Sequence, residues 1–132
     1  LAEGTSTLTH VPNILDVGIM AELLRRLGAE VTYDRAAGVL VIDSPAVLRH
    51  QADYDLVRRM RASIAVLGPL VARAGMADVA VPGGDAIGSR GLDMHIAGLE
   101  RMGAEFTNQH GFLVASAPHG LRGAQIWLDF PS

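Results

Sequence analysis

The chain has 132 residues, of which 49% are hydrophobic and 19% are charged, and its formal net charge is −3. This composition is typical of one compact globular domain and carries no signature of disorder. The acidic balance argues against nucleic acid as the main partner, because nucleic-acid-binding domains usually carry a basic face. The absence of cysteine excludes disulfides, thiolate metal sites and a thiol nucleophile.

The sequence has no feature of a membrane or secreted protein. No apolar run reaches the roughly 18 residues that a spanning helix needs, and the first residues lack the basic and apolar regions of a signal peptide. These features predict a cytoplasmic protein without a membrane partner. Because the chain begins at Leu1 and ends in a polar tail, we expect it to be a piece of a longer protein.

In chain order, the hydrophobic patterns predict a strand, a helix and a β-hairpin, and then the same three elements again. Gly28 and Gly103 each open the motif Gly-Ala-Glu and lie at equivalent predicted helix ends. Between the two copies, residues 63–74 are almost wholly apolar and predict a buried helix, which Gly68-Pro69 should kink or restart. The predicted strands are 6–10, 30–33, 39–42, 78–81, 105–108, 112–116 and 124–128, and the helices of the two copies are 15–27 and 92–102.

This repeat predicts an α/β fold made of two units, at about 1–74 and 75–132. The second unit has extra residues between its strand and its helix, in the stretch "VPGGDAIGSR" at 81–90. Extra residues in a strand-to-helix loop are where function tends to lie. The stretch contains three glycines and one carboxylate, Asp85.

Gly83 and Gly88 have the G-x-x-x-x-G spacing of a phosphate-binding loop, but the rest of that motif is missing. Ser89-Arg90 stands where a phosphate-binding loop needs Lys followed by Ser or Thr, and the glycines miss the dinucleotide-binding spacing. Two interpretations stay open from the residues alone. The loop is either a flexible turn with a solvated Asp, or an anion-binding loop in which Arg90 lies at a helix N-terminus.

Three stretches resemble one family when they are taken together: "RMRASIAVLGPLVARAG", "VPGGDAIGSRGLDMHIAGLERMGAE" and "GLRGAQIWLDFPS". They resemble the UDP-N-acetylglucosamine enolpyruvyl transferases, across essentially all 132 residues. The resemblance implies two similar domains, each built from three repeated α/β units with helices packed inside and sheets outside. This chain would be a fragment of the first domain, with about two of the units present.

The resemblance implies an activity in cell-wall synthesis, and hence in growth and division. The family transfers the enolpyruvyl group of phosphoenolpyruvate to the 3′-hydroxyl of UDP-N-acetylglucosamine, the first committed step of peptidoglycan synthesis. No cofactor or metal is implied, and the partners are the two substrates and the second domain of the same enzyme. The fragment alone is expected to be inactive. The alternatives are a shikimate-pathway enolpyruvyl transferase and a non-catalytic homologue that acts as a binding or regulatory domain.

Asp85 stands where most relatives have a cysteine that donates a proton to phosphoenolpyruvate. A carboxylic acid can also donate a proton if burial or neighbouring anions raise its pKa. We therefore expect Asp85 to be the general acid on a mobile lid. Because fosfomycin alkylates the cysteine of relatives, we also expect fosfomycin resistance. The alternative is a degenerate, inactive loop.

The other site residues are implied by position in the resemblance. Arg61 matches a contact to the UDP-sugar, although a surface charge in a basic cluster is the alternative. Arg90 matches the loop arginine that holds the phosphate-bearing substrate. His95 and Trp127 are expected to pack rather than bind. Two segments match contacts to the UDP-sugar: Gly91, Leu92, Asp93 and Met94 line the uridine site, and Phe130, Pro131 and Ser132 begin a second segment.

Overall fold

The structure is a computed structural model and describes residues 1–80 and 91–128. Asp85, Arg90, Phe130, Pro131 and Ser132 lie outside the described residues. The elements of the described part, in chain order, are β1 (Gly4–Leu8), α1 (Leu15–Arg26), β2 (Glu30–Asp34), β3 (Val39–Ser44), α2 (Tyr54–Arg59), a 3₁₀ helix (Arg61–Val66), α3 (Leu67–Ala74), β4 (Met76–Ala80), α4 (Asp93–Arg101), β5 (Glu105–Gln109) and β6 (Phe112–Ser116).

The described strands form two three-stranded antiparallel sheets with the same topology. The strand orders are β1-β3-β2 and β4-β6-β5, so the last strand of each unit lies in the middle of its sheet. A helix connects the first and second strand of each unit, and a hairpin connects the second and third. This α/β architecture is the one that the repeated sequence pattern predicts.

The two unit helices also end in the same way. Gly28 and Gly103 have φ values of 107° and 103°, in the range that favours glycine. The amide of the next residue, Ala29 or Ala104, donates to the carbonyl five residues earlier over 3.0 Å. This pattern is a Schellman motif, which closes the helix and turns the chain into the following strand.

The hydrophobic core lies between the helices and one face of each sheet. Leu67, Leu70 and Val71 of α3 are 2%, 0% and 1% exposed. Alternate residues of β4 and β6 are buried beside them, whereas the residues between are half-exposed or exposed, as expected for a sheet with one covered face. The core residues of these strands are Ala77, Val79, Ala80, Leu113 and Ala115.

The apolar stretch at 63–74 forms two helices rather than the single predicted helix. A 3₁₀ helix runs to Val66, and α3 begins at Leu67. Pro69 therefore falls in the first turn of α3, where its missing N–H removes no intrahelical bond. The predicted kink or restart at Gly68-Pro69 therefore falls earlier, between Val66 and Leu67, and the change of helix type was not predicted. Within 1–80 and 91–128, none of the helices is long and apolar enough to span a bilayer.

Two strand predictions need correction. β1 spans Gly4–Leu8 instead of 6–10, because His10 adopts a left-handed φ of 59° that ends the extended segment. The prediction of a strand at 124–128 was wrong, since that segment pairs with no strand in the described part of the chain. A strand requires a partner for its backbone groups, and hydrophobic periodicity does not supply one. Trp127 is consequently 85% exposed instead of packed.

The two helix-ending glycines provide a matched test of the repeat. We expect Gly28→Ala and Gly103→Ala each to lower the free energy of unfolding by about 1–2 kcal/mol, because alanine is strained at these φ values. A Cβ at Gly28 would meet nothing within 4 Å, so the cost there comes from the backbone alone. Urea unfolding of the full-length protein measures the effect.

Gly68→Ala is the control for these substitutions. Gly68 lies within α3 and a Cβ there would also meet nothing within 4 Å, so alanine should stabilise the helix by about 0.5–1 kcal/mol. Unequal costs at Gly28 and Gly103, differing by more than about 1 kcal/mol, would contradict their structural equivalence.

Candidate active site

The strand that leads into the 81–90 loop is held on both sides. β4 pairs with β6 along its length, with Ala80 opposite Phe112. On its other edge, the Asp78 amide donates to the His50 carbonyl over 2.9 Å, and the Ala52 amide donates to the Asp78 carbonyl over 2.8 Å. The last described residue before the loop, Ala80, is fully buried. The loop therefore starts from a rigid base, as a precise site requires.

Residues 50–52, which hydrogen-bond to β4, are followed by the part of the chain that leads to Arg61. Asp53 caps α2, because its Oδ1 accepts a hydrogen bond from the Leu56 amide over 3.1 Å. Met60 then adopts an extended conformation, with φ −146° and ψ 118°, which separates α2 from the 3₁₀ helix. Arg61 is the first residue of that 3₁₀ helix and is half-buried. Its position is thus set by the break at Met60.

The predicted uridine-lining segment lies at the start of α4. Leu92 is the N-cap residue, and Asp93 and Met94 form the first turn of the helix. None of the residues of α4 is fully buried, in contrast to α1, which has four buried residues. The segment therefore presents groups at the surface of the described part of the chain, where a ligand can reach them.

A cavity of about 160 Å³ brings this segment together with the chain that leads to residue 130. Asp93 and Met94 line one side, and Trp127 and Leu128 line the other. The structure therefore places one predicted substrate-contacting segment beside the approach to the second. Arg61 is not part of this lining.

The 3₁₀ helix that begins at Arg61 lies across a cavity from α4. Ile64 and Ala65 of the 3₁₀ helix share a mostly apolar cavity of about 240 Å³ with His95 and Leu99 of α4. His95 lines this cavity but is exposed, so the packing role expected from the sequence stays a prediction. The 3₁₀ helix and α4 are neighbours, so the two predicted contact regions of the described chain lie on adjacent helices.

A larger cleft of about 570 Å³ was not anticipated from the sequence. It lies around residues 50–52, and its charged groups pair with one another or with near neighbours. Arg26 Nη1 lies 3.5 Å from Asp53 Oδ2, and His50 Nε2 lies 3.7 Å from Asp78 Oδ2. The His50–Asp78 pair joins the two units, and the Arg26–Asp53 pair links α1 to the start of α2 within the first. Asp53 before an apolar pattern was the one sequence signal for it.

The pKa shifts resolved within 1–80 and 91–128 belong to Glu22 and Arg26 of α1, neither of which is a predicted site residue. The hydrogen bond from Arg26 lowers the pKa of the exposed Glu22, and the same bond raises the pKa of Arg26. Both side chains lie on α1 as an i, i+4 pair. Among the described residues, no three His, Asp or Glu side chains are grouped so as to hold a metal ion.

Comparison with known proteins shows the family to which the chain belongs. The family model described as EPSP synthase (3-phosphoshikimate 1-carboxyvinyltransferase) matches residues 1–132. The chain belongs to this family. A crystal structure described as the enolpyruvyl transferase NikO from Streptomyces tendae matches 92% of the chain and 26% of its own length, with a TM-score of 0.77 and 24% identity. That likeness shows the enolpyruvyl transferase fold.

More similar relatives share one name. The UDP-N-acetylglucosamine 1-carboxyvinyltransferase of Mycobacterium leprae (strain TN) is 58% identical over 132 residues, covering 100% of this chain. That of Nocardia farcinica (strain IFM 10152) is 57% identical over 136 residues, again covering 100% of the chain. The chain spans only 31% and 32% of the lengths of these two relatives.

Two buried serines provide a test of the framework around Arg61. Ser63 lies in the 3₁₀ helix, and its buried Oγ has no hydrogen-bond partner in the part of the chain that the structure describes. Ser44 Oγ instead accepts a hydrogen bond from Arg73 Nη1 over 3.0 Å. Because an unpaired buried hydroxyl is costly, Ser63→Ala should leave the free energy of unfolding unchanged or raise it by about 1 kcal/mol.

Ser44→Ala is the matched comparison and should lower the free energy of unfolding by about 1–2 kcal/mol, because it removes an acceptor from a charged donor. Urea unfolding of both variants of the full-length protein measures the difference. A larger loss for Ser63→Ala than for Ser44→Ala would contradict this assignment of hydrogen bonds.

Proposed function

We propose that the full-length protein containing this chain transfers the enolpyruvyl group of phosphoenolpyruvate to the 3′-hydroxyl of UDP-N-acetylglucosamine. The observation that carries the proposal is 57–58% identity, over all 132 residues, to proteins named UDP-N-acetylglucosamine 1-carboxyvinyltransferase. The reaction is the first committed step of peptidoglycan synthesis, so the protein serves cell-wall growth and division. Both substrates are phosphorylated cytoplasmic metabolites, and we place the enzyme in that compartment.

The proposed reaction is an addition to phosphoenolpyruvate followed by an elimination of phosphate. A proton moves to the methylene carbon of phosphoenolpyruvate while the sugar 3′-oxygen bonds to its C2, and the hydroxyl proton goes to a base. Loss of phosphate and of one proton from the new methyl group then restores the double bond. The protein must therefore supply an acid at the methylene carbon, cations for the phosphate and a base near the sugar.

Asp85 is the proposed acid. The negative phosphate and carboxylate of bound phosphoenolpyruvate would raise its pKa and keep it protonated. Arg90 is proposed to hold the phosphate-bearing substrate, and Arg61 to contact the UDP-sugar. The second domain of the same enzyme would supply the base. The proposed contacts to the nucleotide are Gly91, Leu92, Asp93, Met94, Phe130, Pro131 and Ser132.

The second candidate acceptor is 3-phosphoshikimate, because the matching family model carries that description. The loop sequence "PGGDAIGSR" favours the UDP-sugar, as do the names of the similar relatives. A third possibility is a binding or regulatory protein that keeps the fold without turnover. Retention of Arg61, Arg90 and the loop glycines weighs against it.

Phosphate release by the full-length protein distinguishes the three candidate functions. We expect phosphate from phosphoenolpyruvate when UDP-N-acetylglucosamine is present, and none with shikimate 3-phosphate. Release with shikimate 3-phosphate alone would assign the protein to the other branch of the family. No release with either acceptor would support the binding role and overturn the proposed activity.

Substitution of Asp85 tests the acid. Asp85→Asn keeps the shape but cannot donate the carboxyl proton, so we expect turnover to fall by about 10²- to 10⁴-fold, as is typical of losing a general acid. Asp85→Cys should retain activity. Asp55→Asn, an exposed carboxylate of α2, is the control and should stay within about twofold of the unsubstituted enzyme. Full activity of Asp85→Asn would refute the assignment.

Fosfomycin gives an independent test of the same position. A carboxylate attacks an epoxide far more slowly than a thiolate, and the chain has no cysteine. We expect the unsubstituted enzyme to remain active with fosfomycin and to form no adduct in this region. Asp85→Cys should gain an adduct and lose activity, whereas Asp55→Cys should gain neither. Intact mass and turnover measure both, and an adduct on Asp85 would contradict the proposal.

A further inference from the structure

Tyr54, the first residue of α2, lies against the hairpin of the second unit. Its ring centroid is 5.5 Å from that of Phe112, and the two rings are tilted by 54°. A Cβ on Gly111 would lie 3.7 Å from Cε2 of Tyr54. Phe112 is the first residue of β6 and pairs with Ala80, the last described residue before the 81–90 loop. Tyr54 therefore connects α2 to the strand pair from which that loop departs.

The equivalent hairpin of the first unit makes a different contact. Gly38 and Gly111 each precede the central strand of their sheet, with φ values of 63° and 83°. At Gly38 the contact is local to the unit, because the Val11 amide in the β1–α1 connection donates to the Gly38 carbonyl over 2.8 Å. At Gly111 the neighbour among the described residues is Tyr54, which comes from α2. The hairpin of the second unit is thus packed against the helix that precedes Arg61.

Arg58 holds the Tyr54 ring from the same helix. Its Nη1 donates to Tyr54 Oη over 3.1 Å, and its Cζ lies 5.4 Å from the ring centroid, within range of a cation–π contact. Tyr54 is 39% exposed, whereas Leu56 and Val57 bury α2 in the core. Tyr54 and Phe112 both line the 570 Å³ cleft, so loss of the ring would enlarge that cleft instead of leaving a sealed cavity. The contact is therefore suited to set the orientation of α2 and adds little to the core.

We propose that Tyr54 is a positioning residue, which holds α2 against the second unit and so places Arg61 for the UDP-sugar. α2 ends at Arg59, and only Met60 separates it from Arg61. This inference rests on the proposed function, in which Arg61 contacts the UDP-sugar. Without the ring, the core residues keep α2 buried, but the helix can tilt against the hairpin. A charge-assisted hydrogen bond weakens when its donor shifts in this way.

The test measures the KM for UDP-N-acetylglucosamine in the full-length enzyme. Tyr54→Leu should raise this KM about three- to tenfold, as expected for partial loss of a hydrogen bond from a charged group. Tyr54→Phe keeps the ring against Phe112 and should stay within about twofold of the unsubstituted enzyme. The KM for phosphoenolpyruvate should stay within about twofold in both variants, because Arg61 is not proposed to contact that substrate. An equal rise of both KM values in Tyr54→Leu would overturn the proposal.

Tyr33→Leu is the matched control. Tyr33 also has a guanidinium beside its ring, since Arg35 Cζ lies 5.6 Å from the centroid, but it lies on β2 of the first unit. Its hydroxyl donates to the Pro12 carbonyl over 2.8 Å, so its loss should destabilise the fold at least as much as the loss of Tyr54. Urea unfolding checks this, and the KM for UDP-N-acetylglucosamine should stay within about twofold. An equal rise of that KM in both leucine variants would show a general effect of lower stability and contradict the role of Tyr54.

A double-mutant cycle shows whether Tyr54 acts through Arg61. In an Arg61→Ala background, Tyr54→Leu should raise the KM for UDP-N-acetylglucosamine by less than about twofold, because the guanidinium that it displaces is gone. An equal rise in both backgrounds would refute action through Arg61. Calorimetric titration of the four proteins with UDP-N-acetylglucosamine, without phosphoenolpyruvate, should give the same coupling.

These outcomes also distinguish the inference from the function on which it rests. An unsubstituted enzyme that does not use UDP-N-acetylglucosamine contradicts the proposed function, and an Arg61→Ala enzyme with an unchanged KM contradicts the proposed contact of Arg61. An active enzyme whose KM depends on Arg61 but not on Tyr54 contradicts only the inference.

Discussion

The burial of α3 is the constraint on which the rest of the structure depends. Leu67, Leu70 and Val71 are almost completely buried, and each contributes roughly 1.5–3 kcal/mol by leaving water. Gly75, with a φ of 73°, then turns the chain directly from α3 into β4. Its carbonyl accepts from the Ala117 amide over 2.8 Å, which ties the end of β6 to the same turn. The helix thereby fixes the strand from which the 81–90 loop departs.

Arg73, in the last turn of α3, ties the first sheet to this helix. Its guanidinium donates to the carbonyls of Leu1 and Pro45 over 2.9 Å and to Ser44 Oγ over 3.0 Å. These acceptors lie before the edge strand β1 and at the end of the central strand β3, so one side chain ties two strands of the first sheet to α3. The bonds between the 50–52 segment and Asp78 of β4 then join the first unit to the second.

The two units share a topology but differ where the proposed chemistry occurs. Residues 9–14 connect β1 to α1, whereas 81–92, about twice as long, connect β4 to α4. The first unit can close its strand-helix turn with a short connection, and the second has room for a glycine-rich loop with a carboxylate. The helices that follow also differ, since α1 has four buried residues and α4 has none.

Most of the fold could be predicted because local signals determine it. Gly28 and Gly103 end helices by a local backbone rule, and alternating apolar residues specify the hairpins. The errors arose where the outcome depends on distant parts of the chain. The strand expected at 124–128 has no partner among the described residues, and the pairing of segment 50–52 with β4 has no local sequence signature.

The candidate site was also predictable only in part. The resemblance predicted Asp85, Arg61 and Arg90 as site residues, but it could not show that Asp93 and Trp127 line the same cavity. Rotamers and cavities depend on three-dimensional neighbours, which a sequence pattern does not contain. Asp85 and Arg90 remain predictions that rest on the sequence.

The central claim is that Asp85 delivers the proton to phosphoenolpyruvate. The most direct test is deuterium uptake at the methylene carbon during a single turnover in D₂O with UDP-N-acetylglucosamine, measured by mass spectrometry of the product. The account predicts deuterium in the product of the unsubstituted enzyme, delivered from the exchanged carboxyl, and almost none from Asp85→Asn over the same time. Equal uptake by the two proteins would contradict it.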